Sequence, residues 1–227
     1  MEEMANEDSG LWIFGYGSLC WNPGFQYKRS VLGYIKGFKR RFWQGNITHR
    51  GSFERPGRVA TLVEDRGKKV YGRAFLLKDT GAIPYLNNRE CSLGGYLLTY
   101  TNFYSRDDSG QSLPALIYIA TEKNQFWLGE APLHCMANQI IECSGTSGHN
   151  VEYLLRLAEF MHRNFPGVID DHLFDLELLV RSAIKEQKMC IKSLMGSKDY
   201  TLNMEDREDF KKSKALTKFV FDSCASS

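Results

Sequence analysis

The sequence predicts an α+β domain, with strands in its first half and helices in its second. Two observations carry this. Between residues 11 and 120, apolar residues alternate with polar ones or gather in short runs punctuated by glycine, proline and aspartate, as strands and turns do. From residue 132 onward, apolar residues recur at three- and four-residue intervals behind residues suited to helix starts. The 227 residues, 43% of them hydrophobic, suffice for one well-buried domain. The expected organisation is an acidic tail over 1–10, a folded domain over 11–188 and a polar, weakly structured tail over 189–227.

Leu11, Trp12 and Ile13 form a first strand that runs into Phe14-Gly15-Tyr16-Gly17-Ser18-Leu19. Two glycines one residue apart let the backbone turn sharply and bare its N–H groups, so such a loop can hold a carboxylate, a phosphate or a polarised carbonyl. It can equally be a turn that ends a strand. A second strand starts at 31–35, and the next stretch interleaves Lys36, Lys39, Arg40 and Arg41 with Phe38, Phe42 and Trp43. That pattern suits single-stranded nucleic acid, or a half-buried strand with aromatics inward and cations outward, which is the reading adopted. Residues 49–58 form an irregular loop long enough to lie over a site, and Arg50 and Arg58 on it are candidate carboxylate clamps.

Residues 59–64 and 69–77 read as two strands joined into a hairpin by Asp65-Arg66-Gly67-Lys68. Pro84 suits the first turn of a short helix ending at Gly94-Gly95, which places Glu90 near its end. There the negative end of the helix dipole and partial burial both raise a carboxyl pKa toward neutrality, although most glutamates are plain surface charges. Residues 96–104 and 113–120 are further strands. Tyr118 lies in the second, and its hydroxyl needs a partner, either a substrate or a buried carbonyl. Helices follow at 132–143, after an Asn150 cap, and from Asp170 and Asp171.

Charge excludes little but is informative. Lysine and arginine number 29 against 27 acidic residues, a net +2, which gives no broad field for nucleic acid or membranes and favours a small-molecule substrate. No apolar run approaches the ~20 residues of a membrane span, and residues 1–10 lack the pattern of a secretion signal, so a soluble, cytosolic protein is expected. Six cysteines without a C-x-x-C pair read as reduced thiols, and five histidines without an i, i+4 pair support no metal site. A dinucleotide-binding reading fails at Gly15-x-Gly17, because Pro23-Gly24 makes a turn where a helix is required.

Several separate motifs, in order, resemble the ChaC family, whose members are glutathione-specific γ-glutamylcyclotransferases. They are residues 14–19, Arg41-Phe42-Trp43-Gln44-Gly45, His49-Arg50-Gly51, Pro56-Gly57-Arg58-Val59-Ala60-Thr61-Leu62, Tyr85-Leu86-x-x-Arg89-Glu90, Leu128-Gly129-x-Ala131-Pro132-Leu133, Ser147-Gly148-x-Asn150-x-Glu152-Tyr153-Leu154 and Asp171-His172-Leu173. The resemblance implies a small mixed β-barrel flanked by helices. It also implies that Phe14, Gly15, Tyr16, Gly17, Ser18 and Leu19 hold a γ-glutamyl head group and that Glu90 moves the protons, without metal or organic cofactor. Arg58 and Tyr118 are further substrate-binding candidates. Thr48 and Cys91 stand where the family often has Asp and Lys, positions that bear on loop order or specificity. The alternatives are a cyclotransferase for other γ-glutamyl amines or dipeptides, and a non-enzymatic glutathione-binding protein. Oligomeric state is not legible.

Overall fold

In the computed structural model, residues 10–92, 95–107 and 112–196 are described. Five strands close into a barrel in the order β1-β3-β2-β4-β5: β1 Trp12–Gly15, β2 Tyr27–Asn46, β3 Gly57–Leu77, β4 Leu97–Ser105 and β5 Ser112–Ile119. Neighbours are antiparallel except where β1 meets β5 and closes the barrel in parallel, Ile13 opposite Leu116. The strand period of two divides the core. Trp12, Phe14, Ala74, Leu76, Ala115 and Ile117 join one apolar cluster, while Ile13, Phe75, Leu77, Leu116 and Tyr118 join a second on the opposite face. Each fully buried large side chain, such as Phe14 or Phe75, contributes roughly 1.5–3 kcal/mol.

The first cluster is completed by α2 Leu133–Glu142, α3 Asn150–Asn164 and α4 Asp171–Glu186, the second by the short α1 Ala82–Leu86. A two-stranded ribbon, β6 Ser144–Gly145 and β7 Gly148–His149, precedes α3. The Asp170 side chain accepts from Leu173 N–H and caps α4, as expected. It also pairs with Arg40 at 2.6 Å, which ties α4 to β2. His172 adds a second tie by accepting from Phe42 N–H at 3.0 Å. Burial, aided by Arg41, Arg58 and Arg40, lowers its pKa to about 3, so the ring stays neutral and keeps that acceptor.

Four expectations need correction. The predicted hairpin is one 21-residue strand: residues on both sides of 65–68 pair with β2, and those four bulge out opposite Gly37. Turn chemistry marked the bulge but could not reveal which strand the flanks pair with. Arg40 points inward, because alternation puts it on the face of Phe42 and Gln44; Asp170 and the Tyr71 carbonyl compensate its charge. Asn150 does not cap α3. His149 does, its Nδ1 accepting from Val151 N–H, while the Asn150 amide grips both the N–H and the carbonyl of Arg58. Finally, residues 189–196 belong to the domain: α5 Ile191–Met195 buries Leu194 and Met195 against the core. The rest of the predicted C-terminal tail, and residues 1–9 of the N-terminal one, lie outside the described residues.

Candidate active site

The site is a cavity of about 280 Å³ at one end of β1. Its first wall is the glycine loop. After Gly15 the chain enters a 3-10 turn, Ser18–Cys20, in which Cys20 N–H donates to the Gly17 carbonyl and the N–H groups of Trp21 and Asn22 donate to that of Ser18. The earlier N–H groups, at Gly17, Ser18 and Leu19, have no preceding turn to bond to, as at any helix start. Glycine at 17 is set by close approach: a Cβ there would lie 2.6 Å from the Tyr153 hydroxyl.

The facing wall is a π-helical turn, Asn87–Ser92, that continues α1 and carries Glu90. Such wide turns displace a side chain from the helical register and are frequent at functional sites. Tyr96 N–H donates to the Glu90 carbonyl and Gly95 N–H to that of Cys91, which secures the turn's end. Glu90 and all six residues 14–19 line the one cavity. Arg89 joins the two walls. Its Nη2 donates to Ser18 Oγ at 2.7 Å, its Nη1 to the carbonyls of Asn22 and Pro23, and its Nε lies 3.0 Å from Glu90 Oε1.

The Glu90 side chain is 16% exposed, and burial raises its pKa against the opposing pull of Arg89. Burial, one of the two causes expected from the sequence, is the principal one. Five phenols line this region, those of Tyr16, Tyr85, Tyr96, Tyr118 and Tyr153. Tyr16 donates to the Tyr118 carbonyl and Tyr96 to that of Ala60, and burial raises the pKa of both, so they stay protonated. Tyr153 accepts from Ala60 N–H at 3.2 Å, a bond that leaves its own proton for another acceptor. Tyr118 lines the cavity, and its hydroxyl donates to Asn87 Oδ1 at 3.1 Å rather than to a buried carbonyl.

Arg58 is the candidate that the structure places elsewhere. Its Nε donates to Gln139 Oε1 at 2.6 Å and its Nη1 to the carbonyls of Phe42 and Gly129, and it is absent from the cavity lining. Arg50, the other candidate arginine of the same loop, lines the cavity with His49 instead. Tyr96 and Tyr153 were missed as site residues. A phenol in the apolar face of α3 was the available signal, since its polar end needs a partner. Among the described residues no helix is long and apolar enough to cross a membrane, no cluster of His, Cys, Asp and Glu could hold a metal ion, and five cysteines are free thiols.

This barrel, with its carboxylate facing a glycine loop, defines a class. A crystal structure of a γ-glutamyl cyclotransferase specific to glutathione from yeast matches with a TM-score of 0.69 at 27% identity, over 77% of this chain and 97% of that one. The ChaC-like protein family model matches residues 11–183, and the chain belongs to that family. Among individual relatives, the Danio rerio protein named Glutathione-specific gamma-glutamylcyclotransferase 1 is 50% identical over 187 residues, 81% of this chain and 95% of its own. The Homo sapiens protein of the same name is 49% identical over 170 residues, 74% of this chain and 77% of its own. The family read from the motifs, and the barrel it implied, are thereby borne out.

Proposed function

We propose that this protein degrades reduced glutathione in the cytosol by cyclising its γ-glutamyl unit, releasing 5-oxo-L-proline and L-cysteinylglycine, with Glu90 as the acid-base group. One observation carries the reading: Glu90 and the glycine loop share a single cavity, with Arg89 bonded to both. Relatives of nearly half identical sequence, named for this activity, supply the substrate.

The substrate brings its own nucleophile. The α-amine of the γ-glutamyl unit reaches the γ-carbonyl of the same chain, and closing a five-membered ring replaces the amide C–N bond with a new one. Holding the reactants in such geometry is worth up to ~7–11 kcal/mol in well-oriented cases. The amine is mostly ammonium at neutral pH, so a carboxylate must first take a proton from it. The same group then gives that proton to the leaving nitrogen of Cys-Gly and relays a second one from the ring nitrogen, which keeps a single hydrogen as the lactam N–H, so Cys-Gly departs as an ammonium and the balance closes with no other reactant. A carboxyl whose pKa is raised by burial suits both halves of that transfer.

The tetrahedral oxyanion needs donors. The N–H groups at the start of the 3-10 turn and the uncommitted hydroxyl proton of Tyr153 are the candidates, with Tyr118 as a further one if it exchanges Asn87 for substrate.

Incubating the purified protein with reduced glutathione and, separately, γ-glutamyl-alanine, with products read by mass spectrometry, tests this. The expected result is 5-oxoproline and Cys-Gly from glutathione, with γ-glutamyl-alanine turned over at least ~10-fold less efficiently. Equal turnover of the two would place the protein with cyclotransferases for other γ-glutamyl amines. No 5-oxoproline from either would refute the reaction.

A further inference from the structure

The reaction engages only the γ-glutamyl end of the substrate, yet the cavity that Glu90 lines also has a second polar wall. There His49 and Arg50, on the loop after β2, meet Ser147 of the β6–β7 turn. The wall is built rigidly. Ser147 N–H donates to the His49 carbonyl at 3.0 Å and Thr146 N–H to the Thr48 carbonyl at 2.9 Å. Asn46 Oδ1 accepts from Arg50 N–H at 2.7 Å. Glycine at 145 permits the approach, since a Cβ there would lie 2.4 Å from the Thr48 carbonyl oxygen.

Charge on this wall does not cancel. Arg50 Nη1 contacts Glu152 Oε2 at 2.7 Å and the His149 carbonyl at 2.9 Å, while Arg156 Nε takes the other Glu152 oxygen at 2.7 Å. Two guanidinium groups share one carboxylate, leaving one positive charge in excess. The bonds made by Arg50 run through Nη1, so the rest of its planar fork is uncommitted by them.

His49 adds a second, independent pointer. Its Nδ1 lies 2.9 Å from Ser147 Oγ, whereas its Nε2 is enclosed and has no partner among the described residues. Enclosed ring nitrogens without partners are uncommon in folded proteins. Burial, with the charges of Arg89 and Arg50, lowers the His49 pKa, so the ring is neutral. In the tautomer whose Nδ1 accepts from the Ser147 hydroxyl, Nε2 carries the ring proton and is a donor.

We infer that Arg50 and His49 form a subsite for the distal carboxylate of the substrate, the glycine carboxylate of glutathione, and so determine specificity for a tripeptide acid over simpler γ-glutamyl amines. The inference rests on the proposed cyclotransferase reading. The α-carboxylate of the γ-glutamyl unit is left to the glycine loop. Charge supports the division: Arg50 and Arg156 share the single carboxylate of Glu152, whereas Arg89 is already paired with Glu90. A carboxylate there gains a charge-assisted fork from Arg50 and one bond from His49.

The test compares glutathione with its C-terminal amide, γ-Glu-Cys-Gly-NH2, which removes the distal charge and leaves the reacting atoms untouched. Wild-type protein is expected to favour the acid by about 10- to 100-fold in kcat/KM, mainly through KM. Arg50→Gln can still donate to Glu152, which Arg156 also holds. It should lower activity on both substrates but shrink the acid-to-amide ratio to within ~3-fold. A ratio near one in the wild type, or a ratio preserved in Arg50→Gln, overturns the subsite while leaving the cyclotransferase reading intact. No 5-oxoproline from either substrate with the wild type overturns that reading itself. Should Arg50→Gln fail to fold, His49→Ala decides: the ratio is expected to fall by about 3- to 10-fold, and an unchanged ratio counts against the subsite.

Discussion

Glu90→Gln is expected to lower kcat for 5-oxoproline release by about 100- to 10,000-fold, the usual cost of deleting an acid-base group, while substrate binding stays within a few-fold of wild type. The amide keeps the shape of the carboxyl and can still bond to Arg89, so the cavity should survive. Near-normal turnover by this variant would remove Glu90 from the reaction. The raised pKa adds a signature in pH. The acid limb of kcat/KM should lie above the ordinary glutamate range, because Glu90 must be ionised to take the ammonium proton.

Stability should respond in the opposite sense. A carboxyl with a folded-state pKa above its unfolded value contributes fully below the unfolded value and loses that contribution as pH rises through the folded one. Ionised Glu90 therefore burdens the folded wild type at neutral pH, and Glu90→Gln escapes the burden. The two proteins should melt together near pH 4 and diverge upward, with the variant the more stable at pH 8. Thermal denaturation across that range reads the difference. Divergence in the other direction would mean that Arg89 outweighs burial.

What the sequence made legible was local. The glycine loop, the short helical segment with Glu90 and the apolar spacing of α3 and α4 each fit within about a dozen residues, and each lies where its own pattern put it, although the π-helical form of the Glu90 turn was not legible. What stayed hidden depends on partners far along the chain. Asp65-Arg66-Gly67-Lys68 has the composition of a hairpin turn, and only pairing with β2 makes it a bulge. Arg40 looked like a surface cation until Asp170, 130 residues later, supplied its partner. The two candidate arginines of the 49–58 loop, Arg50 and Arg58, are indistinguishable by composition. Asn150 separates them: its side-chain amide grips the backbone of Arg58 from 92 residues away and fixes that residue in β3, while Arg50 falls on the cavity wall.

This sorting makes Arg58→Ala a stability variant. Arg58 is 5% exposed, and its guanidinium bonds Gln139 Oε1 and the carbonyls of Phe42 and Gly129, which joins β2, β3, α2 and the segment before α2. Truncation strands those acceptors and opens a gap. Hydrogen bonds to a charged group contribute about 1.5–3 kcal/mol, and orphaned buried acceptors add to the loss, so a destabilisation of about 2–4 kcal/mol is expected. For a domain of this size that lowers Tm by about 4–16 °C. Arg58→Lys should recover only part of it, because one ammonium cannot span three separated acceptors. Measured well below the variant's Tm, kcat/KM per folded molecule should stay within ~10-fold of wild type. An unchanged Tm with a KM raised more than ~10-fold would return Arg58 to the substrate and show that the cavity's arginine had been chosen wrongly.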